Sequence, residues 1–273
     1  MRLPPPSDDP DYTRVREHDI RELWDPSLEP HIAAAYQARL LALEDLVSER
    51  LPSRSRILDV GCAQGTLGLR LAEAGHLVTL LDIRKGHIDY AKARFAAGSV
   101  DFRLGRIEEQ PDLLGQFDLV LFTEIIEHMR SPSGALTAIW RALKAGGFLI
   151  MTTPNADYVL SSLESYGSAP QEIIEQSEEN SADGDAHRFL YKREELIAVL
   201  RSVGFLIVEH RYTMPFWLVG HARTRYLHHA LFTLRARPVV VGPRPERSVQ
   251  PLGRWLCSSQ LLVAQRAAAP TAV

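Results

Sequence analysis

The chain has 273 residues, 45% of them apolar, enough for one full-sized α/β domain with a buried core. Its 31 Lys and Arg against 34 Asp and Glu leave a net charge of −3, which excludes a uniformly basic nucleic-acid binder. Two cysteines, Cys62 and Cys257, cannot build a disulfide framework or a thiolate zinc site, so a reducing compartment is expected.

Residues 1–12, with Pro4-Pro5-Pro6 and three aspartates, are expected to form a flexible tail. The first residues lack the apolar stretch of a secretory signal. The charge-free run Tyr212 to Gly220 is too short to cross a bilayer, and the expectation is a cytoplasmic protein. From His31 to Arg50 the apolar residues recur at helical spacing, and Pro52 closes this amphipathic helix. Residues 1–50 are thus expected to be a tail and a cover helix, ahead of a main domain over 51–273.

In that domain short apolar strands alternate with helical runs. Strands are predicted at Ile57–Val60, Val78–Asp82, Val100–Arg103, Phe117–Thr123, Phe148–Thr153, Phe205–His210 and Ser258–Ala264. Helices are predicted at Thr66–Ala74, His87–Ala97 and Arg193–Val203, and Ala145-Gly146-Gly147 reads as the turn before the fifth strand. This alternation predicts an α/β, Rossmann-like, seven-stranded and mostly parallel sheet with helices on both faces.

Two segments interrupt it. Residues 161–187 hold seven acids and no Lys or Arg, and the stretch 161–190 is expected to act as a lid. Between strands six and seven lies an insertion over 213–254. From Arg211 to Arg254 there are eight arginines and one acid, Glu246. A helix there would place Val219, Ala222, Tyr226, Ala230, Leu231 and Leu234 on one face. Four uses remain open for it: lying on an anionic membrane surface, covering a pocket for an anionic substrate, binding RNA, or closing the sheet edge with a solvated outer face.

Asp59-Val60-Gly61-Cys62-Ala63-Gln64-Gly65 ends a strand and opens a helix, where glycines permit a sharp turn and helical N–H groups stand free. Asp82, at the tip of the next strand, is placed to accept ribose hydroxyls. A dinucleotide fingerprint would need glycines where Ala63 and Thr66 stand. With ILDVGCAQG, LLDIR, FDLVLFTEIIEHMRSP, LKAGGFLIMTTPN and HRFLYKREELIAVLRSVGF, the chain resembles the class I S-adenosylmethionine-dependent methyltransferases. It looks most like the group that includes the ubiquinone-biosynthesis O-methyltransferases. Asp59, two residues before the first glycine, is the mark of that cofactor in the resemblance.

The resemblance implies that Gly61, Cys62, Ala63 and Gly65 line the methionine and ribose of S-adenosylmethionine. It puts Asp82 on the ribose hydroxyls and Ile83 against the adenine. Arg106-Ile107 stands where the family often has an acid on the adenine amino group, and Thr123 and Glu124 lie near the sulfonium. Cys62 reads as a space-filler, not a reagent.

Glu124, Glu127 and His128 share one face if the turn after strand four is helical, and His187 could approach them. His128 is the expected general base, with Glu124 orienting it or the substrate. The same E-x-x-E-H pattern with His187 also resembles metal-dependent methyltransferases acting on the terminal 2′-hydroxyl of small RNAs. There Glu124, Glu127, His128 and His187 would hold a divalent cation, with two imidazoles favouring Mn²⁺, Zn²⁺ or Fe²⁺ over Mg²⁺.

The expected reaction is methylation of a small-molecule hydroxyl, on a phenolic, sugar-containing or lipid-linked acceptor. The alternatives are methylation of RNA ends and a non-catalytic cofactor-binding partner protein. Seven acids beside the site argue against nucleic acid.

Overall fold

The computed structural model describes residues 1–170, 187, 189–215 and 252–267. Its strands are β1 (Arg56–Val60), β2 (Leu77–Asp82), β3 (Ser99–Leu104), β4 (Phe117–Thr123), β5 (Leu143–Pro154), β6 (Phe205–Pro215) and β7 (Cys257–Arg266). They form one sheet in the order β3-β2-β1-β4-β5-β7-β6. The pairs from β3 through β5 are parallel, and β7 runs antiparallel to both β5 and β6. Helices are α1 (Pro10–Asp19), α2 (Pro30–Arg50), α3 (Thr66–Glu73), α4 (Lys85–Arg94), α5 (Ser133–Ala142) and α6 (Arg193–Val203), with a single turn at Gly253–Leu256.

Alternation along the central strands builds two cores, because successive side chains leave opposite faces of the sheet. Leu58, Val120, Phe122, Leu149 and Met151 pack with α5 and α6. Ile57, Leu119, Leu121 and Ile150 pack on the other face with α2, α3 and α4. The chain crosses from one side of the sheet to the other between the adjacent strands β1 and β4. The crevice at their carboxyl ends is where ligands bind in open α/β sheets.

The sequence reading needs four corrections. Residues 1–9 are packed, not a loose tail: Arg2 N–H donates to the Arg94 carbonyl at 3.1 Å and Arg16 Nε to the Pro4 carbonyl at 3.0 Å. The unforeseen α1 starts with Asp9 as N-cap, accepting from Tyr12 N–H, and with Pro10 in its first turn. Residues 143–147 belong to β5, where the pairing with β4 shifts between Phe117 and Leu119, and are not a separate turn. Strand β6 runs on to Pro215, taking Thr213–Pro215 out of the expected insertion.

Most of the Arg-rich stretch, 216–251, and most of the acidic one, 171–186 and 188, lie outside the described residues. So do all six residues of the expected apolar helical face. Among the described residues no helix is long and apolar enough to cross a membrane.

The N-terminal elements are held to the main domain by a buried ion pair. Arg94 and Asp19 are both fully buried, 3.1 Å apart. Asp19 also accepts from Tyr90 Oη at 2.8 Å and Trp24 Nε1 at 2.6 Å. Arg94 Nη1 donates to the Gln64 carbonyl and to Thr66 Oγ1. At the far end of α2, Arg50 pairs with Glu209 of β6. Replacing Asp19 by Ala leaves Arg94 buried without its counter-charge and should cost about 3 kcal/mol. A urea midpoint equal to that of the wild type would contradict this.

Candidate functional site

A cavity of about 540 Å³ opens at the carboxyl ends of β1, β2 and β4. Its floor is the turn after β1. Gly61 and Gly65 adopt left-handed φ values of +70° and +72°. A Cβ on Gly61 would come within 2.3 Å of Ile125 Cδ1, and one on Gly65 within 3.0 Å of Ala91 Cβ. Only glycine fits both the dihedral and the space. Ala63 pays a steric cost for the same turn at φ +45°.

Asp82 caps β2 and ties its neighbours together. Its Oδ2 accepts from Ala63 N–H at 3.0 Å and its Oδ1 from Arg84 N–H at 2.9 Å. His87 Nδ1 lies 3.3 Å from Oδ2. Next to it Ile83 lines the cavity and is 41% exposed, an apolar side chain without a complete apolar cover.

The expected cofactor residues separate into two groups. Gly61, Cys62, Ala63, Asp82, Ile83, Arg106, Ile107 and Thr123 line the cavity. Asp59 and Gly65 do not, and they act beneath it. Asp59 is buried and accepts from Gly68 N–H, while Gly65 caps α3. Burial and the neighbouring Asp82 carboxylate push Asp59 up to about 7. Burial likewise pushes the Cys62 thiol well up, which keeps it protonated and a poor nucleophile. Glu108 also lines the cavity, two residues past Arg106, so this wall does carry an acid.

The turn after β4 is a single 3₁₀ turn, Ile126–His128, and not an α-helix. Glu124 takes φ +56°, rare outside glycine, while its N–H still donates to the Thr152 carbonyl at 2.8 Å. Its carboxylate lies 3.3 Å from Arg39 of α2. The residue expected to orient His128 or the substrate is thus also an ion-pair partner of the N-terminal cover.

The expected four-ligand set also divides. Ligand atoms of Glu127, His128 and His187 lie within 4.8 Å of one another, without Glu124. The two imidazole rings are 4.8 Å apart. Glu127 is buried, its Oε2 accepts from Thr153 Oγ1 at 2.8 Å, and its Oε1 lies 3.8 Å from His187 Nε2. Burial, then the Glu124 carboxylate, raise the Glu127 carboxyl well above the usual range.

The sequence reading missed the wall contributed by the N-terminal elements. Glu22, Tyr36 and Arg39 line the same cavity, and Gln64 joins them to the glycine turn. Gln64 Nε2 donates to Glu22 Oε2 at 2.7 Å and to Tyr36 Oη at 3.0 Å. The signal available was Asp9-Pro10, an N-cap followed by proline at a helix start.

A family model described as a methyltransferase domain matches residues 51–208. A ubiquinone biosynthesis O-methyltransferase of Xanthomonas oryzae pv. oryzae is 36% identical over 115 residues, covering 41% of this chain and 48% of the relative. One from Ruegeria pomeroyi is 32% identical over 168 residues, covering 57% and 67%. The chain thus spans about half the length of the first of these curated relatives. A solved S-adenosylmethionine-dependent methyltransferase from Methanosarcina mazei superposes with TM-score 0.55 at 18% identity, over 82% of this chain and 98% of that one. At that identity the likeness shows the fold alone.

Asp59 gives a test of the electrostatics. Its folded-state pKa is raised, so the folded chain holds a proton there more tightly than the unfolded chain does. That stabilisation is lost as pH climbs towards and past 7. Asp59→Asn lacks this loss, so its stability relative to the wild type should rise by about 3 kcal/mol from pH 5 to pH 8. A difference independent of pH in denaturant titrations would refute the assignment.

Proposed function

The chain belongs to the methyltransferase-domain family; from that premise we propose that it is a class I S-adenosylmethionine-dependent methyltransferase acting on a hydroxyl of a small-molecule acceptor, with His128 as general base. The observation that carries this reading is the imidazole of His128 in the cavity wall just past β4, beside His187 and the buried Glu127. The O-methyltransferase names of the relatives support it.

The cavity fits the cofactor. Its glycine turn leaves no room for a Cβ at Gly61, Asp82 presents a carboxylate at the ribose position, and Ile83 offers an apolar platform. The cofactor supplies a methyl group on a sulfonium, an electrophile that needs no further activation. The protein's task is to align the acceptor oxygen, exclude water and remove one proton. With the cofactor bound, the acceptor oxygen would take the methyl group from the sulfonium, S-adenosylhomocysteine would be the leaving group, and the hydroxyl proton would pass to His128. Imidazole is the side chain best suited to accept a hydroxyl proton near neutral pH. Arg39 holds Glu124 beside the transfer point.

A phenolic, sugar-containing or lipid-linked acceptor fits this reading. The arginine excess of 213–254 supports contact with an anionic group or an anionic membrane surface there. His128→Ala should lower turnover by about 100-fold or more while S-adenosylhomocysteine affinity stays as in the wild type. Wild-type turnover in the variant would remove His128 as the base. A wild-type protein that binds the cofactor but methylates nothing in an extract supplied with tritiated cofactor would instead favour the non-catalytic partner.

A second reading is favoured by the convergence of Glu127, His128 and His187 and by Glu127 Oε1, which is buried without a hydrogen-bond partner. These three side chains would hold a divalent cation that binds the hydroxyls of a vicinal diol such as an RNA 3′ end, with Glu124 outside the set. Calorimetric titration of Mn²⁺ into protein saturated with S-adenosylhomocysteine tests it. Tight binding abolished by His187→Ala supports the cation site; no binding in the wild type leaves His128 as a metal-free base.

A further inference from the structure

We propose that Glu22, on the N-terminal cover, is the anionic contact for the α-ammonium group of the cofactor's amino-acid end. The proposal rests on the reading of the cavity as an S-adenosylmethionine site and adds a binding residue from outside the matched domain, since the family model begins at residue 51.

Position comes first. Asp82 marks the ribose, Ile83 and Ile107 the adenine side, and Thr123 and Glu124 the end of β4 where the methyl group must meet its acceptor. With those directions taken, the amino-acid end has the remaining wall, formed by Gln64, Tyr36, Glu22 and Arg39. Gln64 belongs to the glycine turn itself, and its amide is the link from that turn to Glu22.

Charge comes second. An ammonium group entering this cavity needs a carboxylate, and five described acids line it. Asp82 is committed to the ribose end and to backbone N–H groups, and Glu108 stands beside Ile107. Glu124 is paired with Arg39, and Glu127 is buried against Thr153 and His187. Glu22 is left, with one oxygen held by a neutral amide.

The groups facing Glu22 agree. Asp19 of α1 is bound to Arg94, Arg21 of its own turn reaches Glu29 at 3.0 Å, and Arg39 of α2 reaches Glu124. Tyr36 Oη shares Gln64 with Glu22, and Arg14 and His18 of α1 line the same cavity. Arg94, Arg21 and Arg39 are each paired with another acid. Burial pushes the Glu22 carboxyl up to about 7, with Arg39 and Arg21 opposing the rise and Asp19 adding to it. An ammonium group beside it favours the carboxylate form, so cofactor binding near neutral pH expels a proton.

The test is calorimetric titration of S-adenosylhomocysteine into the full chain and into Glu22→Gln, at pH 6 and 7.5, in two buffers of different protonation enthalpy. The wild type should bind about eightfold more weakly at pH 6 than at 7.5 and release protons on binding. Glu22→Gln should weaken binding about tenfold at pH 7.5. It should also remove its own share of the proton release, leaving any share from Asp59. 5′-Methylthioadenosine, which lacks the amino-acid end, should bind both proteins equally. Wild-type affinity and proton release in Glu22→Gln would overturn the proposal, as would an equal loss of 5′-methylthioadenosine binding. A wild type that binds no S-adenosylhomocysteine would overturn the cofactor reading and this assignment with it.

Discussion

The fully buried pair of Asp19 and Arg94 is the joint on which the cavity depends. Two charges without water are costly unless they are paired and hydrogen-bonded. Here Tyr90 and Trp24 donate to Asp19, while Arg94 faces Asp19 through Nη2 and donates from Nη1 to the Gln64 carbonyl and Thr66. Through these contacts the position of the N-terminal cover is fixed by the same atoms that shape the glycine turn.

The site is accordingly built from two sources. The sheet supplies backbone: a left-handed turn after β1, Asp82 at the end of β2 and the strained Glu124 past β4. The cover supplies side chains on the opposite wall, Glu22, Tyr36 and Arg39. Carboxyl groups crowd both parts. Asp59 is raised in part by Asp82, Glu22 in part by Asp19, and Glu127 in part by Glu124. Four arginines, Arg14, Arg39, Arg84 and Arg106, line the same cavity and offset most of that negative charge.

Much of the fold was legible in residue order. Phe117–Thr123 and Arg193–Val203 have the predicted boundaries, because a continuous apolar run and a helical period ended by Gly204 are local signals. Ala145-Gly146-Gly147 misled, because glycines there serve a bulged strand. The nearest atoms to a Cβ on Gly147 would include the Phe117 and Asp118 carbonyls, contacts made only across the β4–β5 pair. The proline-rich start misled for a similar reason: Arg2 and Arg16 fix it through long-range hydrogen bonds.

The sequence by itself determined the α/β alternation, the glycine turn with Asp82 behind it, and the E-x-x-E-H segment, all written within short stretches of chain. Only the tertiary structure decided which acids act together. Spacing joins Glu124 to His128, but α2 brings Arg39 to Glu124, and the return of the chain at His187 meets Glu127. Contacts between residues 60 or 85 positions apart are set by how helices and the returning chain pack on the sheet, and no local pattern encodes that packing.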